Sequence, residues 1–363
     1  MADEKYMKRA IFLARKGMGK TSPNPSVGAV LVKDGKVLSS AYHKKAGLMH
    51  AEATVIKMAG KKARGATLYS TLEACTHYGK TPPCSDAIIK SGIGRAVFAM
   101  RDPNPVNYGR GIAKLRSAGI KTKCGIMRKE AYELNKPFIK AMTRRLPYVT
   151  LKMAQSLDGK IADTKGSSRW ISSEASRRLV HKMRGQSDAV MIGVNTLLKD
   201  NPRLTGRIRG TKKQPLRIIV DTELDTSLQA RIFKNGMDKG GDILIAAGKG
   251  ASPKKKALLE KKGANVVLLP RSGNRVNLTR LMRFLKDLNI MSVLCEGGGE
   301  LTASLLKNKL ADEVLFFISP RIIGGRAAPT SCGGGESDIR KSIGLKDMKT
   351  VRVGNDILVR GNL

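Results

Sequence analysis

His50, Cys75 and Cys84 have to meet, and few folds let them. They stand in the segments His50-Ala51-Glu52, Thr71-Leu72-Glu73-Ala74-Cys75 and Thr81-Pro82-Pro83-Cys84. One imidazole and two thiolates supply three ligands of a tetrahedral zinc ion and leave the fourth position open for water. The pattern predicts a helix over 50–59, with His50 and Glu52 at its start. Residues 67–72 read as a strand leading into Cys75. Pro82-Pro83-Cys84 opens a further helix, where the missing N–H of proline does no harm. Ligands at one strand end and two helix starts demand an α/β arrangement, with helices covering a sheet. Neighbouring segments agree. A helix is expected over 3–17, and strands over 27–32 and 37–42 flank the hairpin signal Asp34-Gly35. A strand over 95–100, a helix over 110–118, a strand over 120–124 and a closing helix over 130–142 follow.

Glu52 lies two residues after the histidine and is not itself a ligand. A carboxylate there moves protons between an activated water and a departing amine, so the four residues together imply a zinc-dependent hydrolytic deaminase. A lone His-x-Glu occurs often by chance; the order and setting of all four carry the reading. The donor set suits redox-silent zinc better than other metals. The rival reading is a nucleic-acid or nucleoside deaminase with an accessory binding domain, invited by a net charge of +39. That charge is spread along the chain in short clusters such as Lys254-Lys255-Lys256, and 4% aromatic residues leave few platforms for stacking bases. Solvated lysine-rich faces explain it better, with a field that favours anionic, phosphorylated substrates. No nucleic-acid partner is expected. A third class, a binding protein on a decayed scaffold, sits badly with an intact set of four residues.

No apolar run approaches the roughly 20 residues that a bilayer requires, and Met1-Ala2-Asp3-Glu4-Lys5 opens no signal peptide. The expectation is a soluble, cytoplasmic protein with no membrane partner. The odd count of 5 cysteines argues against a disulfide framework. Cys124, Cys295 and Cys332 read as small buried hydrophobes. Charge and proline interrupt the pattern at Thr143-Arg144-Arg145-Leu146-Pro147, which divides the chain into domains 1–145 and 146–363. Strand-like runs then recur at 148–154, 188–193, 216–221, 242–247, 265–269, 291–296 and 313–319. Helical stretches fall at 173–185, 253–262, 278–288 and 299–307, and a hairpin around Gly354-Asn355 ends the chain. No Gly-x-Gly-x-x-Gly follows a strand, which argues against a Rossmann dinucleotide site, and there is no Walker phosphate loop.

Eight residues separate Cys75 from Cys84, where common nucleoside deaminases have two. With Pro23-Asn24-Pro25, Tyr42-His43, Ala46-Gly47, Thr71-Leu72-Glu73, Asp102-Pro103-Asn104-Pro105 and Gly109-Arg110-Gly111, this long loop resembles the deaminase half of the bifunctional riboflavin biosynthesis deaminase–reductase family. The second half adds Lys152-Met153-Ala154-Gln155-Ser156-Leu157-Asp158-Gly159-Lys160, Ser168-Arg169-Trp170-Ile171-Ser172, Gly193-Val194-Asn195-Thr196, Asp200-Asn201-Pro202 and Glu296-Gly297-Gly298-Gly299. These segments are similar to the reductase half of the same family, so the resemblance covers nearly the whole chain. It implies a cytidine deaminase-like three-layer domain followed by a dihydrofolate reductase-like domain, with Zn2+ and NADPH as cofactors and a homo-oligomeric assembly. The implied reactions are deamination of 2,5-diamino-6-ribosylamino-4(3H)-pyrimidinone 5′-phosphate and reduction of its ribosyl side chain to ribityl.

The resemblance also assigns roles. Asn24, His43, His77 and Lys80 would surround the phosphorylated pyrimidine, amide and imidazoles reading the ring and Lys80 meeting the phosphate. Ala154, Trp170, Thr196, Asp200, Thr222, Gly298 and Gly299 match cofactor-contacting positions. Ser168, Arg184, Leu204, Arg207 and Glu296 match substrate-contacting ones, with Arg184 and Arg207 offered to the phosphate. Lys152, with Asp200, would polarise the sugar carbonyl. Two departures stand out. Ala74 replaces the proline usual before the first cysteine, and Val106-Asn107-Tyr108 is unusual before Gly109.

Overall fold

The computed structural model describes residues 2–79, 81–207, 214–234, 242–335 and 338–363. The chain divides into two compact units, Met1–Leu146 and Pro147–Leu363. The described residues of the first unit form α1 (Ala2–Arg15), β1 (Gly28–Lys33), β2 (Lys36–Tyr42), α2 (Ala51–Ala59), β3 (Thr67–Ser70), α3 (Cys84–Lys90), β4 (Arg95–Phe98), α4 (Arg110–Ser117), β5 (Lys121–Cys124) and α5 (Arg128–Arg144). Five strands pair in the order β2-β1-β3-β4-β5. β1 is antiparallel to both its neighbours, β2 and β3, and β3, β4 and β5 run parallel.

Asp34 and Gly35 turn the first hairpin with φ of 50° and 72°, the pair of positive values that a two-residue I′ turn needs. Ala29, Val30 and Leu31 on β1 are all fully buried. Successive strand residues point to opposite faces, so β1 must be covered on both sides. The helix α1 lies so close that a Cβ on Gly28 would stand 2.0 Å from the Ala10 carbonyl oxygen. Only glycine fits there.

Helix α5 outruns the expected 130–142 at both ends and leaves a break at residues 145–147, shorter than the expected linker. It is interrupted at Asn135 (φ −116°), two residues before Pro137; proline both lacks the N–H and crowds the preceding turn. The freed Asn135 side chain accepts from the Ser26 amide at 2.8 Å and donates to the Ser26 carbonyl at 3.1 Å. That pins the segment carrying Asn24.

The second unit comprises β6 (Tyr148–Ser156), α6 (Glu174–Gln186), β7 (Ala189–Gly193), α7 (Val194–Asp200), β8 (Leu216–Val220), β9 (Ile243–Gly248), α8 (Pro253–Lys261), β10 (Ala264–Leu269), β11 (Arg271–Ser272), β12 (Arg275–Val276), α9 (Leu278–Asp287), β13 (Ser292–Cys295), α10 (Gly299–Lys307), β14 (Glu313–Ser319), β15 (Lys346–Val353) and β16 (Asp356–Asn362). Among the described residues nine strands form one sheet, ordered β10-β9-β8-β7-β13-β6-β14-β16-β15. It is parallel from β10 to β14, and the terminal hairpin adds two antiparallel strands. β9 is buried throughout, as a parallel strand covered on both faces should be.

The structure departs from the sequence reading at four points. The short helix α7 and the β11–β12 ribbon were not anticipated. Cys295 is buried, but Cys124 is exposed and Cys332 half-buried. Cys124 ends β5, an edge strand whose residues are mostly uncovered, so its thiol has no core to enter. No helix among the described residues is long and apolar enough to cross a membrane.

Candidate active sites

In the first unit, the strand β3 delivers the chain to Cys75 while α2 and α3 start beside it. His50 is the N-cap of α2 and Cys84 the first residue of α3. The ligand atoms of His50, Cys75 and Cys84 all lie within 4.8 Å of one another. His50 Nδ1 stands 3.2 Å from Cys84 Sγ and 3.6 Å from Cys75 Sγ. A tetrahedral zinc with Zn–S of about 2.3 Å and Zn–N of about 2.0–2.1 Å sets N···S edges near ~3.5 Å. The donor set fits that ion.

The two thiols are not equivalent. The Cys84 thiol donating to Cys75, aided by the nearby His50, draws the Cys75 pKa down to about 4, against the opposing effect of burial. Cys84 is pushed up by the same partnership and by burial. A bound cation would reverse that second effect, because metal-ligating thiols lose their protons. His50 Nε2 faces the Thr81 hydroxyl at 3.4 Å, the kind of outer contact that orients a ligating imidazole.

Glu52 is 4% exposed. Its Oε1 accepts from the Ser70 hydroxyl at 3.0 Å, and its Oε2 lies 3.8 Å from Cys84 Sγ. Burial pushes its pKa up, against the pull of His50. These groups open onto a cavity of about 330 Å³ lined by Asn24, His43, His50, Glu52, Cys75 and His77, among others. The Met49 carbonyl, which can only accept, faces His43 Nδ1 at 3.4 Å, so that nitrogen carries the proton. Nε2 then accepts from the Asn24 amide at 3.2 Å. His77 is exposed at the rim. Lys80 lies outside the described residues.

In the second unit, thirteen expected residues converge on one cavity of about 1030 Å³. Lys152, Ala154, Ser168, Trp170, Arg184, Thr196, Asp200, Leu204, Arg207, Thr222, Glu296, Gly298 and Gly299 all line it. Volume of that order accommodates a dinucleotide with a second small molecule. Thr196 accepts from the Gly298 amide at 3.1 Å, where α10 begins. A Cβ on Gly299 would stand 2.7 Å from the Thr330 carbonyl oxygen and 2.8 Å from the Gly333 nitrogen. Bare backbone at a helix start is a fitting cradle for a diphosphate. Trp170 is 62% exposed, with the Arg177 guanidinium 4.4 Å above its ring. Ser168 donates to Asp200 Oδ1 at 2.8 Å.

One expectation is redirected. The Arg184 fork is already engaged: its Nε and Nη2 donate to the two Glu296 carboxylate oxygens at 2.5 and 2.9 Å. Lys152 Nζ reaches the same carboxylate at 3.4 Å. Burial alone would raise the Glu296 pKa; Arg184 and then Lys152 outweigh it and hold it at about 2. Arg207, which is exposed, is left as the freer of the two cations offered to a phosphate. Sequence reasoning missed Ser70 and Thr81, which hold Glu52 and His50, and His181, which lines the larger cavity with Nδ1 3.1 Å from the Thr205 carbonyl. Thr81 sits in the Thr-Pro-Pro-Cys string; nothing local marks Ser70 or His181.

Two family models match the chain. Residues 1–100 match the cytidine and deoxycytidylate deaminase zinc-binding region, and residues 147–359 match the RibD C-terminal domain. The riboflavin biosynthesis protein RibD of Aquifex aeolicus is 45% identical over 98% of this chain and 97% of its own. The structure of Acinetobacter baumannii RibD superposes with a TM-score of 0.89 at 35% identity, covering 99% of this chain and 98% of that one. A diaminohydroxyphosphoribosylaminopyrimidine deaminase/5-amino-6-(5-phosphoribosylamino)uracil reductase from Thermotoga maritima gives 0.86 at 38% identity, with the same coverage. Likeness at this level runs through both units, and the chain belongs to the RibD family, the bifunctional deaminase–reductases of riboflavin biosynthesis.

Proposed function

We propose that residues 1–145 deaminate 2,5-diamino-6-ribosylamino-4(3H)-pyrimidinone 5′-phosphate and that residues 146–363 then reduce the ribosyl group of the product with NADPH. The observation that carries the first half is the meeting of His50, Cys75 and Cys84 within 4.8 Å, with the buried Glu52 carboxylate beside them. His50, Cys75 and Cys84 would hold Zn2+, which supplies Lewis-acid activation of water at neutral pH. Glu52 takes the proton of the attacking water and returns it to the leaving ammonia, and its raised pKa suits a group that must do both. Asn24 and His43 read the ring edge from the cavity wall, and His77 serves the rim; Lys80, which the resemblance assigns to the phosphate, lies outside the described residues.

In the second unit the Gly298-Gly299 backbone and Thr196 would receive the diphosphate of NADPH, and Ala154, Trp170, Asp200 and Thr222 line the same cavity; when bound, the cofactor would supply a hydride. Glu296, fixed by Arg184 and Lys152, is an acceptor for a sugar hydroxyl that stays ionised at neutral pH. Lys152 is also the cation placed to polarise the carbonyl. Ser168, Leu204 and Arg207 complete the substrate side, Arg207 facing the phosphate. A coupled assay tests the whole reading. Ammonia release without NADPH, followed by NADPH oxidation once it is added, is the expected course. Zinc-loaded protein that releases no ammonia from this substrate would sink the first half; ammonia without NADPH consumption would sink the second.

A further inference from the structure

The two departures noted in the sequence, Ala74 and Asn107, touch in the fold. Asn107 is fully buried in the loop before α4. Its amide group donates to the Ala74 carbonyl at 3.2 Å and to Asp102 Oδ2 at 3.1 Å. Its side-chain oxygen accepts from the Thr76 backbone N–H and from the Thr76 hydroxyl, both at 2.8 Å. Both donors and both acceptor positions of the carboxamide are therefore used.

These partners bracket Cys75. The Ala74 carbonyl belongs to the peptide plane before Cys75, and the Thr76 N–H belongs to the plane after it. Because each peptide unit is rigid, holding one atom of each plane restrains the two torsions between them, and with them the direction of the Cys75 side chain. The strap is itself anchored. Glu73 accepts from the amides of Asp102, Gly109 and Ile112 at 2.9–3.0 Å, and the Asn107 amide donates to the Asn104 carbonyl at 2.8 Å. Helix α4 closes the arrangement, since a Cβ on Gly111 would lie 2.1 Å from the Ala74 oxygen. Asp102 and Asn104 line the cavity, and Asn107 stands behind them.

We infer that Asn107 is a positioning residue of the deaminase centre, locking the peptide planes on either side of Cys75 and restraining by hydrogen bonds the stretch that a proline at 74 restrains by its ring. This rests on the reading of the first unit as a zinc deaminase. Proline would fix the backbone at 74 and restrict the residue before it. Among the described residues the Ala74 amide makes no hydrogen bond, so the ring would displace none. The chain therefore reaches one end, a fixed thiolate, by a different device.

The test compares four full-length proteins: wild type, Asn107→Val, Ala74→Pro and the double variant. Each is measured for zinc retention against a graded chelator, for the visible spectrum of the Co2+-loaded form, and for deaminase kcat and KM. The reductase rate on already deaminated substrate controls for the integrity of the chain. Asn107→Val is expected to lose about tenfold or more in metal affinity or kcat and to shift the thiolate-to-cobalt absorption, with KM and the reductase rate unchanged. Ala74→Pro should be near neutral alone and should restore most of the loss in the double variant. Asn107→Val with wild-type affinity and spectrum would overturn the inference. So would a loss that Ala74→Pro does not relieve. If Asn107→Val proves insoluble, Asn107→Asp, which gives up the two N–H donors and keeps the shape, carries the same expectations. A wild type that neither binds zinc nor releases ammonia would remove the deaminase reading and this inference with it, before any variant is compared.

Discussion

Two buried carboxylates show how environment assigns work. Glu52 has no cation paired to it directly, and burial lifts its pKa; Glu296 holds two, and is ionised to about pH 2. Glu52→Gln keeps the shape and removes the proton carrier. Ammonia release should fall by about 10²–10⁴-fold while bound zinc, measured by elemental analysis, stays equimolar. Glu296→Gln should instead unfold the second unit more easily at neutral pH, by about 3–5 kcal/mol, because it leaves a buried cation uncompensated. Since the folded pKa lies below the ordinary 4.5, the ionised form stabilises fully above about pH 4.5, and that contribution disappears as the pH falls towards 2. Urea titrations should show the gap between the two proteins narrowing over that range; a gap independent of pH would refute the assignment. The meeting of His50, Cys75 and Cys84 was legible because ligand chemistry restricts residue types and local context restricts place. The Arg184–Glu296 pairing was not, because it joins residues 112 apart in sequence, and no local pattern announces that an arginine is already engaged.

Elements were readable where a local rule sufficed. The Asp34-Gly35 pair fixes a turn type by itself, and the helix starts at His50 and Cys84 follow from spacing and proline. Helix α7 escaped because it is only seven residues long, leaves β7 without a break and has no side-chain cap. The exposure of Cys124 escaped for another reason: whether a strand lies at the edge of a sheet is decided by pairing with distant segments, not by its own residues. Close approach of elements brings its own prediction. Gly299→Ala would push a methyl group into the Thr330–Gly333 backbone, a strain of about 1–3 kcal/mol. The KM for NADPH should rise about tenfold, in line with that strain, while the rate of ammonia release is untouched. An unaltered KM would show that the loop gives way without cost.

At the scale of the molecule, two units with separate sheets and separate cavities should fail separately. Stripping zinc with a chelator is expected to stop ammonia release and to leave the reduction of already deaminated substrate intact, with ammonia release restored on adding Zn2+. Loss of both activities together would mean that the metal supports more than the first unit. The same independence gives Trp170 an unforeseen use. It is the only tryptophan in 363 residues, and it stands at the larger cavity, largely exposed. All indole fluorescence of the native chain therefore comes from one of its two workplaces, and a reduced nicotinamide absorbs where indole emits. With excitation where tyrosine does not absorb, arrival and departure of the proposed NADPH would be watched by light in the unlabelled enzyme, with no indole of the first unit to obscure them.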